Sequence, residues 1–142
     1  MTSAKNRLPL PGRPARGSAR GRPVMALLDL LGRRWSLRVL WQLRDGAQTF
    51  RVLQAGADGL SPSILNTRLK ELREARLVEA GEAGYVLTAS GAALLKRLQP
   101  LAAWADEWAV SLAASPAQAQ TQARRTVKVR AVSPAGAASR RR

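Results

Sequence analysis

The sequence predicts a mainly α-helical domain with one small β-hairpin, an α+β class. Three observations predict it. Apolar residues recur at helical spacing in four short blocks between Pro23 and Ala75. Two strand-length runs, Leu77–Ala80 and Tyr85–Thr88, then flank a Gly-rich turn. A last apolar block of helical period runs from about Ala89 to Ala114.

The elements follow in order. Val24, Leu27, Leu28 and Leu31 form a first helical stripe, which Gly32 ends. Trp35, Val39, Leu40 and Leu43 form a second, closed by Asp45–Gly46. Thr49 is placed to cap a third short helix holding Phe50, Val52 and Leu53. Gly56 and Gly59 flank a turn. Ser61 as N-cap and Pro62 at the first helical position start a fourth helix, running to about Ala75 with Leu65, Leu69 and Leu72 on one face. Gly81–Gly84 reads as the hairpin turn. Pro100 lies inside the last helix, where its missing N–H should bend it. Helix, turn, helix and hairpin, in that order, make a winged helix-turn-helix, here with a long C-terminal dimerisation helix.

Charge divides the 142-residue chain. Its net charge is +15. Residues 1–22 carry six basic residues and no acid, and residues 117–142 carry seven and no acid. The expected domains are a disordered basic arm over 1–22, a folded domain over 23–114 and a disordered basic tail over 115–142. Pro and Gly keep the arm from forming a helix, and the tail has few large apolar residues. Two cationic ends around a nearly neutral domain suit a polyanion, double-stranded DNA above all.

The chain has no His and no Cys. Ser-His-Asp triads, thiol nucleophiles, disulfides and Cys/His zinc sites are therefore excluded. The adjacent Asp106 and Glu107 point different ways on a helix and make no acid–base couple. No enzyme activity, cofactor or metal is expected. No membrane span or secretory signal is expected either, which places the protein in the cytoplasm, at the nucleoid.

The fourth helix is the candidate reader of bases. With Leu65, Leu69 and Leu72 inward, Ser63, Asn66, Thr67 and Lys70 face outward. Asn bonds adenine at two points, Ser and Thr bond several base edges, and Lys reaches guanine or phosphate. Ser61, Arg51 and the flanking Arg68 are candidate phosphate contacts, with Arg20 and Arg22 from the arm. Ala19–Pro23 carries an Arg-Gly-Arg-Pro run similar to an AT-hook, which would lie extended in the minor groove. On the last helix, Leu94, Leu98, Leu101, Trp104 and Trp108 make an apolar stripe suited to a second copy; Leu27 of the first helix joins them as a candidate dimer contact.

A set of ordered runs then resembles the HxlR-type family of bacterial winged-helix regulators. They include Pro23-Val24, Leu28–Gly32, Arg34–Leu37, Asp45-Gly46, Thr49–Arg51, Leu60-Ser61, Arg68–Leu72, Leu77–Glu79, Tyr85–Thr88, Pro100-Leu101 and Trp104. The resemblance covers about 60% of the chain, from Pro23 to Ala109. It implies a dimeric DNA-binding regulator of transcription, paired through its first and last helices. Many members carry a Cys just before the Pro-Val pair; here it is Arg22, so thiol sensing is excluded. The family's wing Arg is replaced by Ala80, and Glu79 and Glu82 on the wing repel phosphate. Any small-molecule effector is unspecified by the sequence. Two other readings fit the charge: a protein that coats DNA without sequence preference, and an adaptor that binds another protein through the Trp-bearing helix.

Overall fold

The computed structural model describes residues 7–114; residues 1–6 and the tail expected from 115 onward lie outside the described residues. Helix α1 spans Pro23–Leu31, with Pro at a position whose N–H would be unpaired anyway. Helix α2, Ser36–Gln42, continues into a 3-10 turn at Leu43–Asp45. Helix α3 is Phe50–Ala55, and Thr49 Oγ1 accepts the Val52 N–H at 3.3 Å. Helix α4 is Pro62–Glu74, and Ser61 Oγ accepts the Ile64 N–H at 3.3 Å. Both caps satisfy amides that the helix leaves unpaired.

The end of α4 sets up the hairpin. Arg76 adopts φ +57°, the Arg76 N–H bonds the Arg73 carbonyl, and the Leu77 N–H bonds the Leu72 carbonyl, both at 2.9 Å. This Schellman turn usually uses Gly. It leads directly into strand β1, Val78–Gly81, which pairs antiparallel with β2, Gly84–Leu87. Gly81 faces Gly84, so the turn is the two residues Glu82 and Ala83, shorter than the four expected. A third strand position was not expected: Gln48 and Tyr85 exchange backbone bonds of 2.9 and 2.8 Å. A Cβ on Gly84 (φ +119°) would fall 2.4 Å from the Gln48 carbonyl oxygen, so this pairing requires Gly.

Leu40, Leu43, Leu53, Leu65, Leu69, Leu72, Val39 and Val78 are fully buried. The core thus joins α2, α3, α4 and β1, and the three α4 leucines fix which side of α4 faces outward. Helix α5 spans Ala89–Ala113. Thr88 Oγ1 accepts the Gly91 N–H at 3.1 Å and donates to the Arg76 carbonyl at 2.7 Å, which ties the start of α5 to the end of α4. The chain divides into two compact units between Leu98 and Gln99, next to Pro100 and its missing N–H. Gly91 and Leu95 are the buried residues of α5. Residues 99–113 include none.

The arm corrects an expectation. Residues 7–22 form a folded strap rather than a disordered arm. Leu8 and Pro9 are buried. Gly12 N–H bonds the Gly21 carbonyl at 2.9 Å, and Ala15 and Ser18 exchange two bonds of 2.9 Å. The Arg16 N–H donates to Asp29 Oδ2 at 3.0 Å, and Arg33 Nη2 donates to the Arg7 carbonyl at 2.7 Å. Pro and Gly do exclude a helix here. They also permit tight turns, because Gly12, Gly17 and Gly21 all have positive φ. The AT-hook-like run is therefore not extended: Gly21 turns back at φ +63°, and Pro23 is already in α1.

Leu8→Ala should lower stability by about 2 kcal/mol in urea unfolding. Gly21→Ala should also destabilise, since its Cβ would fall 2.0 Å from the Arg13 carbonyl oxygen. Pro14→Ala, at an exposed position, should change little. Equal stability of all three with the parent chain would mean that the strap is not docked.

Candidate nucleic-acid interface

On α4, Ser63, Asn66, Thr67 and Lys70 are all exposed, as their spacing opposite the leucines requires. The Thr67 hydroxyl donates to the Ser63 carbonyl at 2.9 Å. Its oxygen remains an acceptor. Ser63 Oγ lies 3.3 Å from Ser61 Oγ, so the cap and the first outward hydroxyl form a pair. Among the described residues, Asn66 and Lys70 have no side-chain hydrogen-bond partner. The result is a polar ridge with donors and acceptors directed away from the protein.

Three of the four expected phosphate-binding arginines are exposed. Arg51 is exposed in the first turn of α3. Arg20 and Arg22 are exposed beside an open cavity of about 380 Å³ that Ser18 and Met25 also line. Arg68 departs from its expected role. Its Nε donates to the Arg34 carbonyl at 2.7 Å, its Nη1 is paired with Glu71, and its side chain is only 18% exposed. The Glu71 carboxylate also binds Arg33 through its other oxygen. Arg68 is thus committed inside the protein rather than directed to phosphate. The spacing of Arg68 and Glu71 on one helix signals their pair. Nothing in the sequence signals Arg33, because it is distant along the chain.

The hairpin keeps its expected acidity. Glu79 and Glu82 are exposed, and β1 and β2 contain no Lys or Arg. The apolar stripe expected for a second copy is only partly free. Leu27, Leu94 and Leu98 are half-buried against their own chain's core. Leu101, Trp104 and Trp108 are exposed by 56%, 56% and 52%. The two indoles stack with centroids 5.8 Å apart. Val24 and Leu28 on α1 are equally exposed, and the sequence alone did not mark them as surface residues.

A capped helix with a polar outer ridge, set behind a short helix and followed by a hairpin, defines a winged helix-turn-helix DNA-binding protein. The model of the HxlR-like helix-turn-helix family matches residues 30–112. The chain belongs to this family, a class of DNA-binding transcription regulators. It is 34% identical over 88 residues to YvaP of Bacillus subtilis, an uncharacterized HTH-type transcriptional regulator, covering 57% of this chain and 82% of YvaP. The crystal structure of quinone-bound YodB from B. subtilis is similar at TM-score 0.57 and 34% identity, covering 59% of this chain and 96% of that one. A possible HxlR family transcriptional factor from Thermoplasma volcanium is similar at TM-score 0.53 and 30% identity, covering 61% and 84%.

Glu71→Ala should destabilise the fold by about 3 kcal/mol, because two half-buried guanidinium groups lose their shared carboxylate. Glu74→Ala removes only a 3.9 Å pair with Arg13, half-exposed on both sides. Its cost should stay below about 0.5 kcal/mol. Denaturant midpoints of the two variants give the comparison, and equal costs would show that the Glu71 cluster carries no special weight.

Proposed function

We propose that the chain regulates transcription as a homodimer that reads the major groove with α4. The observation that carries this reading is the outward ridge of Ser63, Asn66, Thr67 and Lys70. Asn66 bonds a base edge, most favourably adenine, and Lys70 takes guanine or phosphate. Ser63 and Thr67 are acceptors and short donors for neighbouring bases. Arg51, Arg20 and Arg22 add phosphate attraction that carries no sequence information. The acidic hairpin contributes no grip of its own.

Dimerisation is supported by the exposed Leu101, Trp104 and Trp108 on α5 and by Val24 and Leu28 on α1. Large apolar side chains at this exposure are unfavourable in a lone chain. A two-fold dimer presents two copies of α4 to half-sites about one helical turn, roughly 34 Å, apart. The relative YodB has been crystallised with a quinone. With no cysteine here, a thiol–quinone adduct is excluded in this chain.

Fluorescence anisotropy of full-length protein tests the reading. The probes are the intergenic duplex beside its own gene, other promoters, and shuffled duplexes of equal composition. A preference of about a thousandfold is expected for the operator. Equal affinity for all duplexes would favour DNA coating, and binding to none would favour a protein adaptor. Asn66→Ala should cut the preference by roughly tenfold or more, while affinity for shuffled DNA holds. In sedimentation, the parent chain should run as a dimer and Trp108→Glu as a monomer; a monomeric parent would overturn the dimer.

A further inference from the structure

With Arg68 committed to Glu71, one flank of α4 has lost its expected phosphate contact. The structure supplies a replacement. We propose that Arg34 and Arg38 form the phosphate clamp on this flank of the reading helix, an inference that rests on α4 lying in the major groove.

The placement follows from two hydrogen bonds. Arg68 Nε holds the Arg34 carbonyl at 2.7 Å, which fixes residue 34 against the side of α4. Arg38 Nη2 donates to the Gly56 carbonyl at 3.0 Å, which fixes Arg38 beside the turn between α3 and α4. An α-helix with its side chains is about 10–12 Å across, and the major groove is about 12 Å wide. A helix seated there fills the groove, so whatever borders its flank meets the phosphate backbone. Residue 34 borders that flank, and Arg38 lines the same open cavity as Arg34.

Arg34 is also available. It is exposed, and among the described residues its guanidinium has no hydrogen bond and no ion pair. It lies over the Trp35 ring, 5.3 Å from the centroid, a contact that limits where the long side chain can swing. Trp35 itself sits at φ 76°. A non-glycine residue stays there only when its surroundings hold it. Here the Ser36 N–H bonds the Arg33 carbonyl at 3.1 Å, and Arg68 grips the carbonyl between them. Arg33, Arg34 and Arg38 line an open cavity of about 420 Å³ with Trp35 and Leu37. Arg33 is turned to Glu71, which it shares with Arg68. The other two cations face the opening with no described carboxylate against them. Arg38 keeps free N–H groups beyond the one given to Gly56.

The test is the salt dependence of binding. Full-length protein is titrated by anisotropy against a shuffled, mixed-sequence duplex and against the preferred intergenic duplex, from about 50 to about 200 mM salt. Each phosphate contact contributes close to one unit of the log–log slope. Arg34→Ala should therefore lower the slope by about one and weaken binding roughly five- to tenfold on both duplexes alike. Arg34→Lys should restore most of it, and Arg34→Ala with Arg38→Ala should lower the slope by about two. Arg97→Ala, an exposed cation bonded to the Ala93 carbonyl on α5, is the control and should leave the slope unchanged. Urea midpoints establish that each variant folds, with Arg34→Gln as the substitute if the alanine variant does not. A slope equal to the parent's, or a loss matched by Arg97→Ala, overturns the clamp. A loss confined to the preferred duplex would make Arg34 a base reader and overturn it too. If the parent chain shows no preference between duplexes, the sequence-reading function fails, while the slope comparison on shuffled DNA still decides the clamp.

Discussion

Glu71 accepts from Arg33 through one carboxylate oxygen and from Arg68 through the other, and three parts of the chain meet there. Arg33 comes from the loop between α1 and α2, and it also holds the Arg7 carbonyl of the strap. Arg68 and Glu71 belong to α4, and Arg68 holds the Arg34 carbonyl in turn. Desolvating three charges is costly, and the net gain in stability over an apolar cluster is small. What the cluster adds is direction. Leu65, Leu69 and Leu72 fix the inner side of α4, and a leucine face alone tolerates some sliding and rotation. The two charged bonds remove that freedom on the flank. The outward ridge of α4 is held by apolar contacts behind it and charged contacts beside it.

The elements legible in the sequence are those whose signals are local. Thr49 and Ser61–Pro62 mark helix starts because a cap acts within three residues. The leucine period of α4 marks its inner face for the same reason. The hairpin is legible, but its turn is two residues shorter than the sequence suggests, since Gly81 and Gly84 resemble turn residues and in fact pair with each other. The Gln48–Tyr85 pairing left no signal, because a single bridged residue has no period. Arg76 ends α4 in the left-handed region without the Gly that would announce it. Composition does not reveal the strap: Pro and Gly content reports what a segment cannot form, and says nothing of a Leu8–Pro9 anchor supplied by distant residues. The polar ridge of the site was legible. The fate of Arg68 was not, because the carbonyl that accepts its Nε, that of Arg34, is 34 residues away.

This partition of the arginines matters for any anionic partner. Net charge counts Arg33, Arg68 and Arg13 as full cations, yet Arg33 and Arg68 share the Glu71 carboxylate and Arg13 pairs with Glu74. The free cations of the described residues lie elsewhere, among them Arg34, Arg38, Arg51, Arg20 and Arg22. Folding the strap has a further effect. A disordered arm must be ordered on binding, at a conformational cost that offsets part of its Coulomb attraction. Cations on a docked strap have already met that cost in the folded protein. Their attraction is then spent at fixed positions, which restricts where a phosphate backbone can run.

The second half of α5 places a different demand on the chain. Up to Leu98 the helix contributes Leu94, Leu95 and Leu98 to the core. From Gln99 to Ala113 no residue is buried, although Leu101, Trp104, Trp108, Val110 and Leu112 are all large and apolar. A helical segment of this length is marginal in water on propensity alone, since most helical stability comes from packing an apolar face. The stacked indoles cover only part of each other. The homodimer proposed above would meet the deficit with the same residues on both sides, which is the economy of a two-fold interface. It would also settle the spacing between the two reading helices, a quantity that no single chain can define.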